Sequence, residues 1–212
     1  MHTSNKLELP KLALTGEISL EQLLAQRRSL REYPDTALSL AEIDQILWEA
    51  QGITHAEGLR TAPSAGALYP LELYVVAGRV EGLAQGVYHY EPERHQLTKT
   101  SDEDIREALA RAALSQSCVN DAPAVIVFTA DYARTAKKYG NRGRRYVDME
   151  VGHAVGQVCD LSLINGRSQT CPTTGKKSCR GVAHAQLFRR EDLPKGRSFS
   201  AAAHTPACCG TW

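Results

Sequence analysis

The chain has 212 residues, enough for one domain of ordinary size with a real core and too short for two comfortable ones. Lys and Arg total 25 against 24 Asp and Glu, with 42% apolar and 23% charged residues, a soluble globular mixture without the basic excess that coating nucleic acid or acidic membranes requires. No stretch approaches the roughly 20 apolar residues of a membrane span, and the N-terminal region lacks a signal-peptide apolar centre, so a cytoplasmic protein is the expectation.

Ser19 with Gln22 at the capping-box position predicts a helix carrying Leu20, Leu23 and Leu24 and ending near Ser29. Ser39 with Glu42 opens a second one, with Ile43, Ile46, Leu47 and Ala50 at helical spacing and Gly52 as its stop. Thr61 to Pro70 is a loop of small residues and prolines, followed by the alternation of a strand at Leu71, Leu73 and Val75. Val87 to Tyr90 and Gln96 to Thr98 read as two short strands joined by the turn Glu91 to His95. Ser101 with Asp104 caps a third helix carrying Ile105, Ala108 and Leu109. Ala124 to Thr129 is an unbroken apolar run suited to a strand covered on both faces. From Arg145 helical spacing returns at Val147, Val151, Ala154, Val155 and Val158. Helices alternating with strands and one hairpin give an α+β layered domain.

The composition changes after residue 157. Residues 1–157 carry 17 basic and 21 acidic residues, a net −4, whereas residues 158–212 carry 8 and 3, a net +5. Ile, Leu and Val fall from 35 in the first part to 7 in the second. That division gives a domain over 1–157 and an atypical C-terminal segment over 158–212, expected to lack an alternating apolar strand. An altered reading frame or a replaced terminus produces such a change of texture. Five of the six cysteines, Cys159, Cys171, Cys179, Cys208 and Cys209, fall there without the C-x-x-C spacing of zinc sites, so no metal is expected.

Two segments could bind a ligand. Arg27, Arg28, Ser29 and Arg31 offer guanidinium forks and a hydroxyl able to enclose a phosphate; a solvated basic helix end is the plainer alternative. Pro63, Ser64, Ala65 and Gly66 begin a run of small residues that lets a flat ligand approach the backbone, though an ordinary loop has the same composition. Together they describe a phosphate clamp and a platform for a planar ring.

Arg27 to Tyr33, the Pro63 to Pro70 loop with its strand, and Arg145-Tyr146 through Gly152-His153-Ala154 resemble the nitroreductase superfamily, and within it the SagB-type, azoline-dehydrogenase-like branch, over about residues 18–157. The resemblance implies an α+β fold with a central mixed or antiparallel sheet flanked by helices, and FMN bound at a homodimer interface to which both chains contribute. It assigns Arg27, Arg28, Ser29 and Arg31 to the FMN phosphate, ribityl chain and pyrimidine edge. Pro63, Ser64, Ala65 and Gly66 would lie along the isoalloxazine. It further implies that Lys138 and Tyr139 act as the catalytic pair of azoline oxidation, one of them taking the proton while hydride leaves for the flavin; an exposed helix end is the alternative for Lys137-Lys138-Tyr139.

The function expected from this resemblance is FMN-dependent hydride transfer to or from a small organic substrate. Its rivals are an NAD(P)H-dependent nitro or quinone reductase and a flavin-free dimerising scaffold of the same fold. Nucleic acid and membrane are not expected partners. Asp148, Glu150 and His153 are titratable residues on the last predicted helix, with no third ligand at a spacing that would hold a metal.

Overall fold

The structure is a computed structural model that describes residues 5–12, 14, 19–26, 31–33, 35–161, 168–170, 177–179 and 182–189. In chain order the elements are β1 (Lys6–Glu8), α1 (Leu20–Gln26), β2 (Leu38–Ser39), α2 (Leu40–Gln51), a 3-10 turn at Ala65–Ala67 and β3 (Leu71–Ala77). Next come β4 (Val80–Glu81), β5 (Gly86–Glu91), β6 (Gln96–Ser101), α3 (Arg106–Ala112), α4 (Ser117–Asp121), β7 (Ala124–Ala130) and α5 (Tyr132–Tyr139). After a 3-10 turn at Gly140–Arg142 follow α6 (Gly143–Leu161), β8 (Ser168–Thr170), β9 (Lys177–Cys179) and β10 (Val182–Arg189).

One mixed sheet organises these elements, in the order β1-β6-β5-β3-β7-β10. β3 lies antiparallel to both β5 and β7, whereas β10 runs parallel to β7. Every residue of β7 is buried, as its unbroken apolar run requires between two neighbouring strands and under two covered faces. On one face Leu71, Leu73, Val75, Ile126 and Phe128 pack with Ile43, Ile46 and Leu47 of α2 and Val147, Ala154 and Val158 of α6. On the other, Val76, Val125 and Val127 meet Leu109 and Ala110 of α3 and Cys118 and Val119 of α4. Each fully buried aliphatic side chain contributes about 1.5–3 kcal/mol, so the sheet with its two helical covers carries most of the fold's stability.

The helix starts at Ser19 and Ser39 form as their sequence signals predict. Ser39 Oγ accepts from the Glu42 amide at 3.3 Å while the Glu42 carboxylate accepts from the Ser39 amide at 2.8 Å, and Ser19 with Gln22 repeats the reciprocal pattern at 3.4 and 3.3 Å. α3 differs from expectation. Ser101 closes β6 instead of capping the helix, and Asp104 receives the Arg106 amide and guanidinium in a local turn, so the helix starts without a side-chain cap. The C-terminal segment also differs: β10 adds a strand to the main sheet, with Val182 opposite Ala124 and Ala185 opposite Val127. A low aliphatic content did not prevent that segment from pairing through its backbone, since ladder hydrogen bonds are independent of side-chain type.

Candidate functional site

The Ala62–Pro70 loop is anchored at both ends. The Thr61 amide donates to the Gly52 carbonyl at the end of α2 at 2.9 Å, and Gln157 of α6 donates to the Thr61 carbonyl at 2.9 Å. At the far end the Pro70 carbonyl accepts from the Asp131 amide at 2.9 Å, and Arg134 of α5 donates to the Tyr69 carbonyl at 2.9 Å. Asp131 caps α5 by accepting from the Ala133 amide at 3.0 Å, so the contacts that hold the loop also orient α5.

Between these anchors the backbone turns through Gly66, Ala67 and Tyr69 at φ values of 66°, 53° and 45°. Two of these are non-glycine residues in the left-handed region, a conformation that persists only where surrounding contacts over-determine it. Ser64 supplies the main contact: its hydroxyl accepts from the Tyr69 amide at 2.9 Å and donates to Glu150 Oε2 at 2.6 Å. Tyr69 is fixed again by the Arg60 amide, which donates to its hydroxyl at 3.2 Å, and by the Arg60 guanidinium 4.6 Å above its ring.

α5 ends at Gly140, and its last residues close over the loop. A Cβ built on Gly66 would lie 2.7 Å from Tyr139 Oη and 2.9 Å from Lys138 Nζ. Only glycine leaves both side chains room there, and φ at this position favours glycine as well. Tyr139 stacks edge-on against Tyr146 of α6 with ring centroids 5.1 Å apart, and Lys138 Nζ lies 5.6 Å from the centre of the Tyr139 ring. Lys138, Pro63 and Gly66 are exposed and Tyr139 is half-buried, so the site opens to solvent above a buried base.

That base contains a carboxyl group absent from the sequence-derived list of site residues. Glu150 is 3% exposed, and its Oε1 has no hydrogen-bond partner. Burial pushes its carboxyl up to about 7, although the Ser64 hydroxyl and the Arg60 charge pull the other way. A sequence signal was present: Glu150 stands on the same helical stripe as Val147, Ala154 and Val158, where an acid must be buried.

The structure thus brings Pro63, Ser64, Ala65 and Gly66 together with Lys138 and Tyr139. Arg27, Arg28 and Ser29 lie outside the described residues. Arg31 is exposed, and Tyr33, two positions on, packs against the α3 and α4 side of the sheet, opposite the face that carries α6. Among the described residues no three His, Cys, Asp or Glu side chains group as metal ligands, and no helix is long and apolar enough to cross a membrane.

A mixed sheet between two helical layers, with a glycine-bearing loop laid under the end of a helix, defines an α+β protein. Residues 24–159 match the nitroreductase family model, and the chain belongs to that family. A Methanocaldococcus jannaschii protein named as a nitroreductase is 46% identical over 158 residues, 74% of this chain and 78% of that protein. The trifolitoxin-processing protein TfxB of Rhizobium leguminosarum bv. trifolii is 33% identical over 121 residues, 53% of this chain and 31% of that protein. Among solved structures, a Ralstonia eutropha nitroreductase superposes with a TM-score of 0.65 at 24% identity, covering 78% of this chain and 75% of that one.

Proposed function

We propose that this member of the nitroreductase family is an FMN-dependent oxidoreductase that moves hydride between the flavin and an organic substrate, with azoline-type dehydrogenation as its reaction. The observation that carries the reading is the closure of Lys138 and Tyr139 over the Gly66 backbone. The small residues over 63–66 would let a flat ring lie along the loop backbone, beside the Lys138 and Tyr139 ends that meet Gly66. FMN, when bound, supplies the hydride acceptor.

The chain's own residues would do the rest. Pro63, Ser64, Ala65 and Gly66 would support the ring, while Arg27, Arg28, Ser29 and Arg31 would hold the phosphate, ribityl chain and pyrimidine edge. Lys138 or Tyr139 would accept the proton released from the azoline carbon as the hydride departs, so that two electrons and one proton leave the substrate for the hydride acceptor and a second proton goes to the base. Relatedness to a trifolitoxin-processing protein supports a substrate met in the processing of such a toxin.

An open face of α6 supports a homodimer in which both chains build each site. Met149 is 56% exposed there, and a Cβ added to Gly152 or Gly156 would meet nothing within 4 Å. Leu20 and Leu24 of α1, which lies beside α6, are 58% and 57% exposed. A partner packed on these residues would remove apolar surface from water.

Purified protein supplemented with FMN should retain about one flavin per chain and oxidise a peptidyl azoline to the azole. Lys138→Ala and Tyr139→Phe should abolish that turnover while keeping the flavin. A colourless dimer that FMN cannot reconstitute would identify a scaffold. Flavin-loaded protein that ignores azolines but reduces nitroaromatics with NAD(P)H would replace the dehydrogenase with the reductase.

A further inference from the structure

We propose that Glu150 is a positioning residue that sets which way the Ser64 hydroxyl points, so that Ser64 offers a hydrogen-bond donor to the flavin slot only when Glu150 is protonated. The inference rests on the flavin site proposed above and deepens it by assigning a control element beneath the loop.

The geometry leaves two arrangements. A serine hydroxyl has one hydrogen and two acceptor positions. The Tyr69 amide occupies one acceptor position of Ser64, at 2.9 Å. With Glu150 ionised, the Ser64 hydrogen is committed to Oε2 across the 2.6 Å contact, and nothing remains to donate upward. With Glu150 protonated, its own O–H can donate across that contact, Ser64 accepts from both sides, and its hydrogen is released toward the slot. Ser64 is half-buried and lies two residues from the exposed Gly66, so the change is made where the ring would rest.

The surroundings of Glu150 favour a carboxyl that exchanges its proton near neutrality. Its Oε1 is buried without a partner, which disfavours the anion, and burial outweighs the Ser64 hydrogen bond and the Arg60 charge. Elements packed against α6 carry these described titratable or charged groups: Arg60 and Tyr69 on the loop side, Tyr132, Arg134, Lys137, Lys138 and Tyr139 on α5, Glu42, Asp44 and Glu49 on α2, and Glu21 on α1. Of its helical neighbours on α6, Tyr146 packs on Tyr139, Asp148 accepts from Tyr132 at 2.9 Å, and His153 is exposed. Among the described residues Arg60 is the cation that acts on Glu150, and its guanidinium is already shared between Gln51 and Glu93, each at 3.0 Å.

Two measurements test the proposal. In the first, the Glu150 carboxyl carbon is followed by NMR in protein free of flavin, its signal assigned by its loss in Glu150→Gln. It should titrate near neutrality, and Ser64→Ala should move that titration. Titration in the ordinary carboxylate range, or a midpoint indifferent to Ser64→Ala, overturns the proposal whether or not the protein binds flavin.

In the second, FMN affinity is titrated across neutrality. Wild type should bind roughly three- to tenfold more weakly once Glu150 ionises, the worth of one hydrogen bond. Glu150→Gln, whose amide N–H imitates the protonated acid, should keep the tighter affinity throughout. FMN phosphate titrates too, at about pH 6, but equally for both proteins, so the difference between them isolates Glu150. Identical pH profiles for the two proteins would overturn the proposal. Failure of both to bind FMN at any pH would instead refute the flavin reading, leaving the NMR titration to decide the role of Glu150.

Discussion

Glu72 and Glu150 are both acids held away from water, and their surroundings drive them in opposite directions. Burial pushes the Glu72 carboxyl up, but hydrogen bonds from His89 and Arg134, together with their charges, override it and hold the group at about 2. Among the described residues Glu150 has one hydroxyl partner, the charge of Arg60 and a bare oxygen, and burial prevails at about 7. Partner count, not depth, separates a carboxylate that locks structure from one able to exchange a proton at neutral pH. Glu72 ties β3 to β5 and α5 through His89 and Arg134, whereas Glu150 sits under the loop expected to carry the ring.

The largest way to break this contrast is Glu150→Gln. In the unfolded chain the carboxyl ionises near its ordinary 4.5, and in the folded chain near 7, so between those values the unfolded state alone gives up its proton. Wild-type stability should therefore fall as pH rises through that window, by about 3 kcal/mol in all, and stay level above it. Urea unfolding over the same range should find the Gln variant without that decline. A wild type whose stability holds constant there would mean that Glu150 ionises normally.

Glu72→Gln tests the opposite sign. Its folded value lies below the unfolded one, so its contribution is present above about 4.5 and disappears as pH falls toward about 2. Replacement should cost about 2 kcal/mol at neutral pH, because Arg134 and His89 lose a charged acceptor. The acid limb of the stability profile should flatten in parallel. An unfolding midpoint unchanged in Glu72→Gln would show that these contacts contribute nothing.

Gly66→Ala has the smallest effect on stability and sharpens the contrast between scaffold and site. The left-handed φ should cost about 1 kcal/mol, and the new methyl displaces the ends of two flexible side chains, Tyr139 and Lys138, without entering the core. Thermal unfolding should shift slightly while azoline turnover disappears. Full turnover in that variant would separate Lys138 and Tyr139 from the chemistry.

Much of the fold was legible because its signals are local. The capping boxes at Ser19 and Ser39, the alternation in β3 and the unbroken apolar run of β7 each state their own geometry. α4 was missed because it spans five residues, and α5 was read only as a possible helix end at Lys137-Lys138-Tyr139, because its buried Thr135 stands where an apolar stripe would be expected. The Asp131 cap was the available signal for α5. β10 escaped notice because its evidence is pairing with β7, which no composition records.

In the candidate site, the small-residue loop and the Lys138-Tyr139 pair were each readable from sequence, but their meeting at Gly66 depends on the turn of the chain through β3, β7 and α5. Glu150 was legible as a residue type and not as a role, since nothing in its own helix reveals that Ser64 lies against it.

The most direct test of the account is an FMN titration of flavin-free wild type and Gly66→Ala, followed by quenching of flavin fluorescence. One slot built from Ser64, Gly66, Lys138 and Tyr139 requires saturation of wild type at about one FMN per chain, with an affinity at least roughly tenfold weaker in the folded variant, a loss of about 1.4 kcal/mol. Equal affinity in the two proteins would contradict it.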